Sequence, residues 1–244
     1  MRTPSPLRTL ITAVVLASLT TANSSGAPTA SVPVGCMTYP LTSGATISFG
    51  VPLIHLPALT GIVSTITSNS IGVTGANWTP NQFASSGVVY FVAIRTGPQA
   101  GRSLLVLSNT SNSLTLDVED TPLDGAGFAV TAGADTFELL QGDTLGSLFG
   151  TAADGSGFLA SGLKGGTSTQ NADRIQLLEG TPFNSYIFNT TVGTWVMVNG
   201  GSTSHNGLIL YPDDGMLLTR RGPNGNLTIL GRDALATYRH QDRE

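Results

Sequence analysis

Val88-Val89-Tyr90-Phe91-Val92-Ala93-Ile94 is an unbroken apolar run rich in β-branched and aromatic residues. A strand reads this way when it is covered on both faces, because neither side needs polar residues for water. Gly97 and Gly101 follow and suit a tight turn, since glycine adopts positive φ without a steric penalty. Beyond the turn, Arg102-Ser103-Leu104-Leu105-Val106-Leu107 is a second run of the same character.

Outward from this pair the pattern changes to alternation. Leu114, Leu116 and Val118 alternate with Thr115 and Asp117, and Ile175 and Leu177 with Arg174 and Gln176, the period of half-buried strands. Further strands are expected at 45–49, 61–67, 70–75, 135–140, 185–189, 194–198, 208–211, 216–220 and 226–230. Asn189-Thr190-Thr191-Val192-Gly193-Thr194 reads as a hairpin tip that pairs Tyr186 and Phe188 with Trp195 and Met197. Helical signal is confined to a turn over 144–149, with Asp143 as its expected cap. The fold class is all-β. A small β-barrel-like module is followed by a second β-rich sandwich or barrel-like part, with at most one or two short helices.

Charge places the expected boundaries. No Asp or Glu lies between Asn23 and Leu116, and all 15 acids lie from Asp117 onward. With the Pro- and Gly-containing stretch 117–127, this divides the chain into an N-terminal β-module at 33–120 and a C-terminal β-rich module at 130–231. A polar tail occupies 232–244.

Residues 1–27 read as a signal peptide. Arg2 and Arg8 form a positive n-region, and Leu10–Ala17 an apolar core too short to span a bilayer. Small residues then offer cleavage after Ala22 or Ala27. Export follows as the expectation: a secreted or cell-envelope protein with no transmembrane segment in the mature chain. Cys36 is the only cysteine, so no internal disulfide can form. It reads as a small apolar residue of the first strand.

Composition narrows the function classes. Charged residues are 11% of the chain, against 32 Thr and 23 Ser, so hydroxyls carry most of the polar surface. The formal charge of −4 argues against a nucleic-acid partner, and losing the two n-region arginines takes it to about −6. No Gly-Lys-Ser/Thr triplet or G-x-G-x-x-G before a helix marks a phosphate cradle, and no G-x-S-x-G elbow marks a serine hydrolase. Ser202, Ser204 and His205 share one loop, where adjacent residues rarely face one another productively. His55 sits among apolar residues and prolines and reads as a packed or edge-strand histidine. One Cys and three dispersed His give no zinc pattern. No catalytic residue and no cofactor is assigned.

Two sets of candidate binding residues remain. Asp117, Glu119, Asp120 and Asp124 bring hard oxygen ligands close together, the chemistry calcium prefers, and Asp213 and Asp214 form a smaller cluster. Turn formation is the competing explanation, because Asp beside Gly is favoured in turns. Trp78, Trp195 and Tyr186 are candidates for stacking on a sugar if exposed together; core packing is the alternative fate.

The stretch from Gly61-Ile62-Val63 through Gly72-Val73-Thr74-Gly75-Ala76-Asn77-Trp78 and Tyr90–Arg102 to Leu114-Thr115-Leu116 resembles a small β-module of secreted bacterial proteins and phage tail or fibre proteins. With Phe49-Gly50-Val51-Pro52-Leu53, Gly142–Gly150 and Ala172-Asp173-Arg174-Ile175, the wider chain resembles an uncharacterised family of exported bacterial β-rich proteins. The resemblance implies export and β-structure, and no reaction.

The reading is therefore a secreted or cell-surface, non-catalytic structural or interaction protein, with a surface polysaccharide or a protein as partner. The rival is an extracellular polysaccharide-active enzyme with paired carboxylates across a cleft. A phage-type fibre component is a third reading, against which the signal peptide argues. The strands of residues 45–116 lack the lysines that discourage edge pairing, so self-association through an edge strand is also expected.

Overall fold

A computed structural model describes residues 35–50, 53–85, 87–151, 161–178, 183–212 and 214–233. The expected signal peptide and residues 234–244 of the expected tail lie outside them, as does Asp213. The described residues belong to a single compact unit.

Along the chain, β1 (Gly35–Leu41), β2 (Thr46–Phe49) and β3 (Leu53–Ile54) come first. β4 (Pro57–Ile62), β5 (Thr65–Ile66), β6 (Ser70–Gly72), β7 (Tyr90–Ile94), β8 (Ser103–Asn109), β9 (Ser113–Leu116) and β10 (Thr136–Gln141) follow. Then come β11 (Asp143–Thr144), the single helix α1 (Leu145–Phe149), β12 (Arg174–Leu177), β13 (Asn184–Asn189), β14 (Thr194–Met197), β15 (Ile209–Leu210), β16 (Met216–Thr219) and β17 (Gly225–Asp233). The all-β class holds. No helix among the described residues is long and apolar enough to cross a membrane.

The middle of the chain builds a seven-stranded sheet in the order β4-β10-β7-β8-β9-β6-β5. Its end strands are consecutive in sequence. At Val63 the chain still bonds the β10 side, through Asp135 O, and at Ser64 it bonds Gly72 O at the end of β6. β4 and β5 do not pair with each other, so the barrel closure expected of this module is not seen as a ladder. One core joins the sheet, with Ile71, Val92, Ile94, Leu104, Leu114, Phe137 and Leu139 all buried in it. The β7–β8 turn uses Gly97 and Gly101 at φ +83° and +94°.

The rest of the chain forms a five-stranded sheet, β14-β13-β12-β16-β2, and a three-stranded sheet, β1-β17-β3. They share a second core that includes Phe49, Phe149, Ile175, Trp195, Leu218, Leu227 and Ile229. The hairpin register is Tyr186↔Met197 and Phe188↔Trp195. The helix cap differs from expectation. Thr144, not Asp143, caps α1: its side chain accepts from Ser147 N and its N–H donates to Ser147 Oγ.

The pairing does not follow the 33–120/130–231 division. β1 and β3 pair with β17, and β2 pairs with β16, while β10 lies inside the middle sheet. Residues 35–54 therefore belong with 174–233, and 57–141 form the other sheet between them. The charge step near Asp117 misplaced the boundary because it marks a loop within the middle sheet's own span. The apolar run opened above has both faces covered for this reason. Val92 and Ile94 face the middle core, and Phe91 packs with Val89, Leu105, Ile209 and Tyr211 on the other side.

Candidate functional site

The acidic side chains of the loop after β9 do not converge among the described residues. Glu119, Asp120 and Asp124 are exposed, and Asp117 Oδ1 accepts only its neighbour Glu119 N, at 3.4 Å. No group of three potential ligands converges among the described residues. The physical reason lies beneath the loop. Arg102 Nη1 donates to Thr121 O and Nη2 to Val118 O. The buried Gln99 amide donates to Pro122 O, Leu123 O and Phe128 O, and its oxygen accepts from Arg102. The loop's carbonyls of Val118, Thr121, Pro122, Leu123 and Phe128 thus already accept from N–H donors of Arg102 and Gln99.

The aromatic candidates do not form a platform. Trp195 is 0% exposed, its Nε1 donates to Gly150 O at 2.9 Å, and its ring packs on Phe149 and Phe188. Tyr186 is 3% exposed in the same core. Trp78 is half-buried and meets Phe83 edge-on at 5.4 Å, at the other core. Stacking on a sugar needs open ring faces, and these rings give theirs to the protein.

His205 donates its backbone N–H to Trp195 O, and Ser204 Oγ shares a hydrogen bond with Thr194 Oγ1 rather than with a histidine. A second polar group is brought together from far apart in sequence. His55 Nε2 lies 3.3 Å from Asp143 Oδ2, while Ser147 Oγ donates to Asp143 Oδ1 at 2.8 Å. The hydrogen bond to Asp143 raises the His55 pKa against the opposing effect of burial. The order Ser–Asp–His leaves the imidazole without contact to the hydroxyl, so it cannot take the hydroxyl proton as a triad base does. The pair instead ties the two places where the chain crosses between sheets: His55 lies between β3 and β4, and Asp143 opens β11 just after β10.

The most elaborate polar cluster is built on Asp173, just before β12. Its side chain is 1% exposed and that of Arg220 is 6% exposed. Asp173 Oδ2 accepts from Arg220 Nη1 and Lys164 N; Oδ1 accepts from Arg221 N and Gly222 N. Arg220 also donates to Gly162 O and Pro223 O. One carboxylate thus fastens the 161–173 segment to the turn between β16 and β17. Sequence reasoning missed this cluster. The Asp173-Arg174 and Arg220-Arg221 doublets were its visible signal, but nothing in them marks burial.

The outer edge of the middle sheet is β4. Its exposed side chains are Ala58, Thr60 and Ile62, the last 54% exposed, and Leu56 just before it is 46% exposed. Val63 N bonds toward β10, so by the alternation of an antiparallel ladder the backbone groups of Thr60 and Ile62 point away from it, up to a register shift at Ala58. Among the described residues they meet no further strand. The strand carries no charge.

No family model, curated protein or solved structure matches this chain.

Proposed function

We propose that this is an exported, non-catalytic surface protein that acts by association, joining a second copy of itself through β4. The uncharged, exposed outer edge of β4 supports this reading. Native sheets guard free edges with charges, prolines or bulges; β4 has Pro57 and a register shift at Ala58 at its start, but from Leu59 to Ile62 its outer side has no charge to deter pairing. Antiparallel pairing about Thr60 sets Ala58 opposite Ile62 of the other copy. Thr60 then exchanges backbone hydrogen bonds with its own counterpart, with no like charges opposed. The signal-like N-terminus and the hydroxyl-rich composition support a location outside the cell.

Sedimentation velocity over a wide concentration range tests the association. A reversible dimer is expected, and Thr60→Lys should weaken it at least tenfold, because the two lysines would face each other across the new ladder. A monomer at every concentration refutes self-pairing. Fractionation of the producing cells tests the location, and a cytoplasmic protein with its first 27 residues intact refutes export.

A further inference from the structure

We propose that Asn199 is a modification site: its side-chain amide is lost to water through a cyclic imide formed with the backbone nitrogen of Gly200, and the change loosens the loop that covers the edge of β14. The inference is independent of pairing through β4. Asparagine followed by glycine is the pair in which this ring closes most readily, because no Cβ shields the glycine nitrogen and the backbone there turns freely. The chain holds three such pairs, Asn199-Gly200, Asn206-Gly207 and Asn224-Gly225. The fold treats them differently.

Two of the three are held. Asn206 Oδ1 accepts from Thr194 Oγ1 at 2.8 Å and from Trp195 N at 3.0 Å, and both of these residues are buried. Turning that amide toward Gly207 leaves the buried Trp195 N–H without its acceptor. Asn224 Oδ1 accepts from Ser43 N at 2.8 Å, and Gly225 is fixed in the β1–β17 ladder opposite Leu41. Asn199, in contrast, is exposed, and its side chain has no hydrogen-bond partner among the described residues. Its φ of +64° sets it in a turn closed by a single hydrogen bond, Gly200 N to Met197 O at 2.9 Å. Opening that exposed turn frees the nitrogen without breaking a strand ladder, and local openings of this kind are the least costly in a folded protein.

The step balances with water alone. Gly200 N gives up its proton and bonds Asn199 Cγ, the Cγ–Nδ2 bond breaks, and ammonia leaves. Water then opens the ring. Breaking the bond from Gly200 N to Cγ gives aspartate. Breaking the bond from Gly200 N to the main-chain carbonyl carbon gives isoaspartate, whose main chain runs through Cβ and Cγ and is longer by one carbon. Either product adds a negative charge at neutral pH. The longer backbone enters a loop that guards an end strand. β14 ends the five-stranded sheet, and the outward backbone groups of Trp195 are satisfied by His205 N and Asn206 Oδ1 from that loop.

Peptide mapping by mass spectrometry of the native protein, aged in mildly alkaline buffer, is the test, with a urea-unfolded sample as control. Asn199 should convert first, roughly fivefold or more ahead of Asn206 and Asn224, while in urea all three convert. Hydrogen exchange at Trp195 N should quicken in the aged protein and stay slow in aged Asn199→Gly, a replacement that suits the positive φ. Earlier conversion of Asn206 or Asn224 in the native protein would overturn the proposal, as would an Asn199 that converts only in urea. An equal lag of the other two pairs in urea would remove the fold from the explanation, and equal exchange at Trp195 in aged and fresh protein would refute the loosening.

Discussion

Replacing Asp173 by Asn keeps its shape and removes its charge, which isolates the electrostatic part of the hub. Asp173 and Arg220 are almost fully enclosed, at 1% and 6% exposure. The change leaves a guanidinium buried without its counter-charge, a situation that costs about 3–5 kcal/mol. The amide adds to this: one of its two positions is now a donor, facing N–H groups of Arg221 and Gly222 or of Lys164 that have lost their acceptor. For a chain of this size a loss of 1 kcal/mol lowers the melting temperature by roughly 2–4 °C, so a fall of about 6–20 °C is expected. Urea denaturation followed by circular dichroism gives the free energy directly. Hydrogen exchange should localise the damage to 161–173 and 220–228, the two segments the carboxylate fastens together. The companion Arg220→Met should cost less in the Asp173→Asn background than alone, since the buried charge is then gone. A loss below about 1 kcal/mol for Asp173→Asn would refute the reasoning, because it would mean the pair is wet enough to behave like a surface salt bridge.

Three further outcomes follow from the same geometry. The His55 pKa is raised in the folded protein, so the His55–Asp143 pair stabilises fully below about pH 6.5 and loses that contribution as pH rises through the raised value. With His55 partly exposed the effect should stay within about 1 kcal/mol, and Asp143→Asn should flatten this part of a stability–pH curve; an unchanged slope would count against the pairing. Gly97→Ala should destabilise by at least ~1 kcal/mol, since φ is +83° and a Cβ there would lie 2.1 Å from the Asp135 carboxylate, itself held by Thr131 N; a neutral result in thermal melts would contradict the turn. Calcium and a chelator should leave the melting temperature unchanged in the native protein, because carbonyls of the acidic loop already accept from Arg102, and a calcium-dependent rise would reverse that assignment.

Local patterning made the strands legible, and long-range pairing hid much of the rest. The runs around Phe91 and Leu105 announced two covered faces, and the tip at Asn189–Thr194 announced a hairpin whose register is as read. The face that hairpin turns inward was not legible. Tyr186, Phe188 and Trp195 enter the core, but Ile187 and Val196 on the opposite face are apolar and buried too, so alternation carried no contrast. The division of the chain failed for a different reason. Strand pairs such as Gly35↔Gly231 and Thr46↔Thr219 leave no periodic mark, whereas the change in charge near Asp117 is conspicuous and belongs to a loop. The polar clusters show the same limit. His55 and Asp143, or Asp173 and Arg220, become partners only once the sheets bring distant segments together.

The pairing of the chain's first strands with its last has a consequence for the order in which the protein folds. β1 leaves the ribosome roughly 200 residues ahead of its partner β17, an interval of about 10–40 s at ordinary synthesis rates. The middle sheet, whose strands are all made between Pro57 and Gln141, can form within that interval. The terminal sheets cannot, and their apolar strands must wait without partners. Under the proposed export, the terminal segments, unlike the middle sheet, stay open to threading until the last strand has been made.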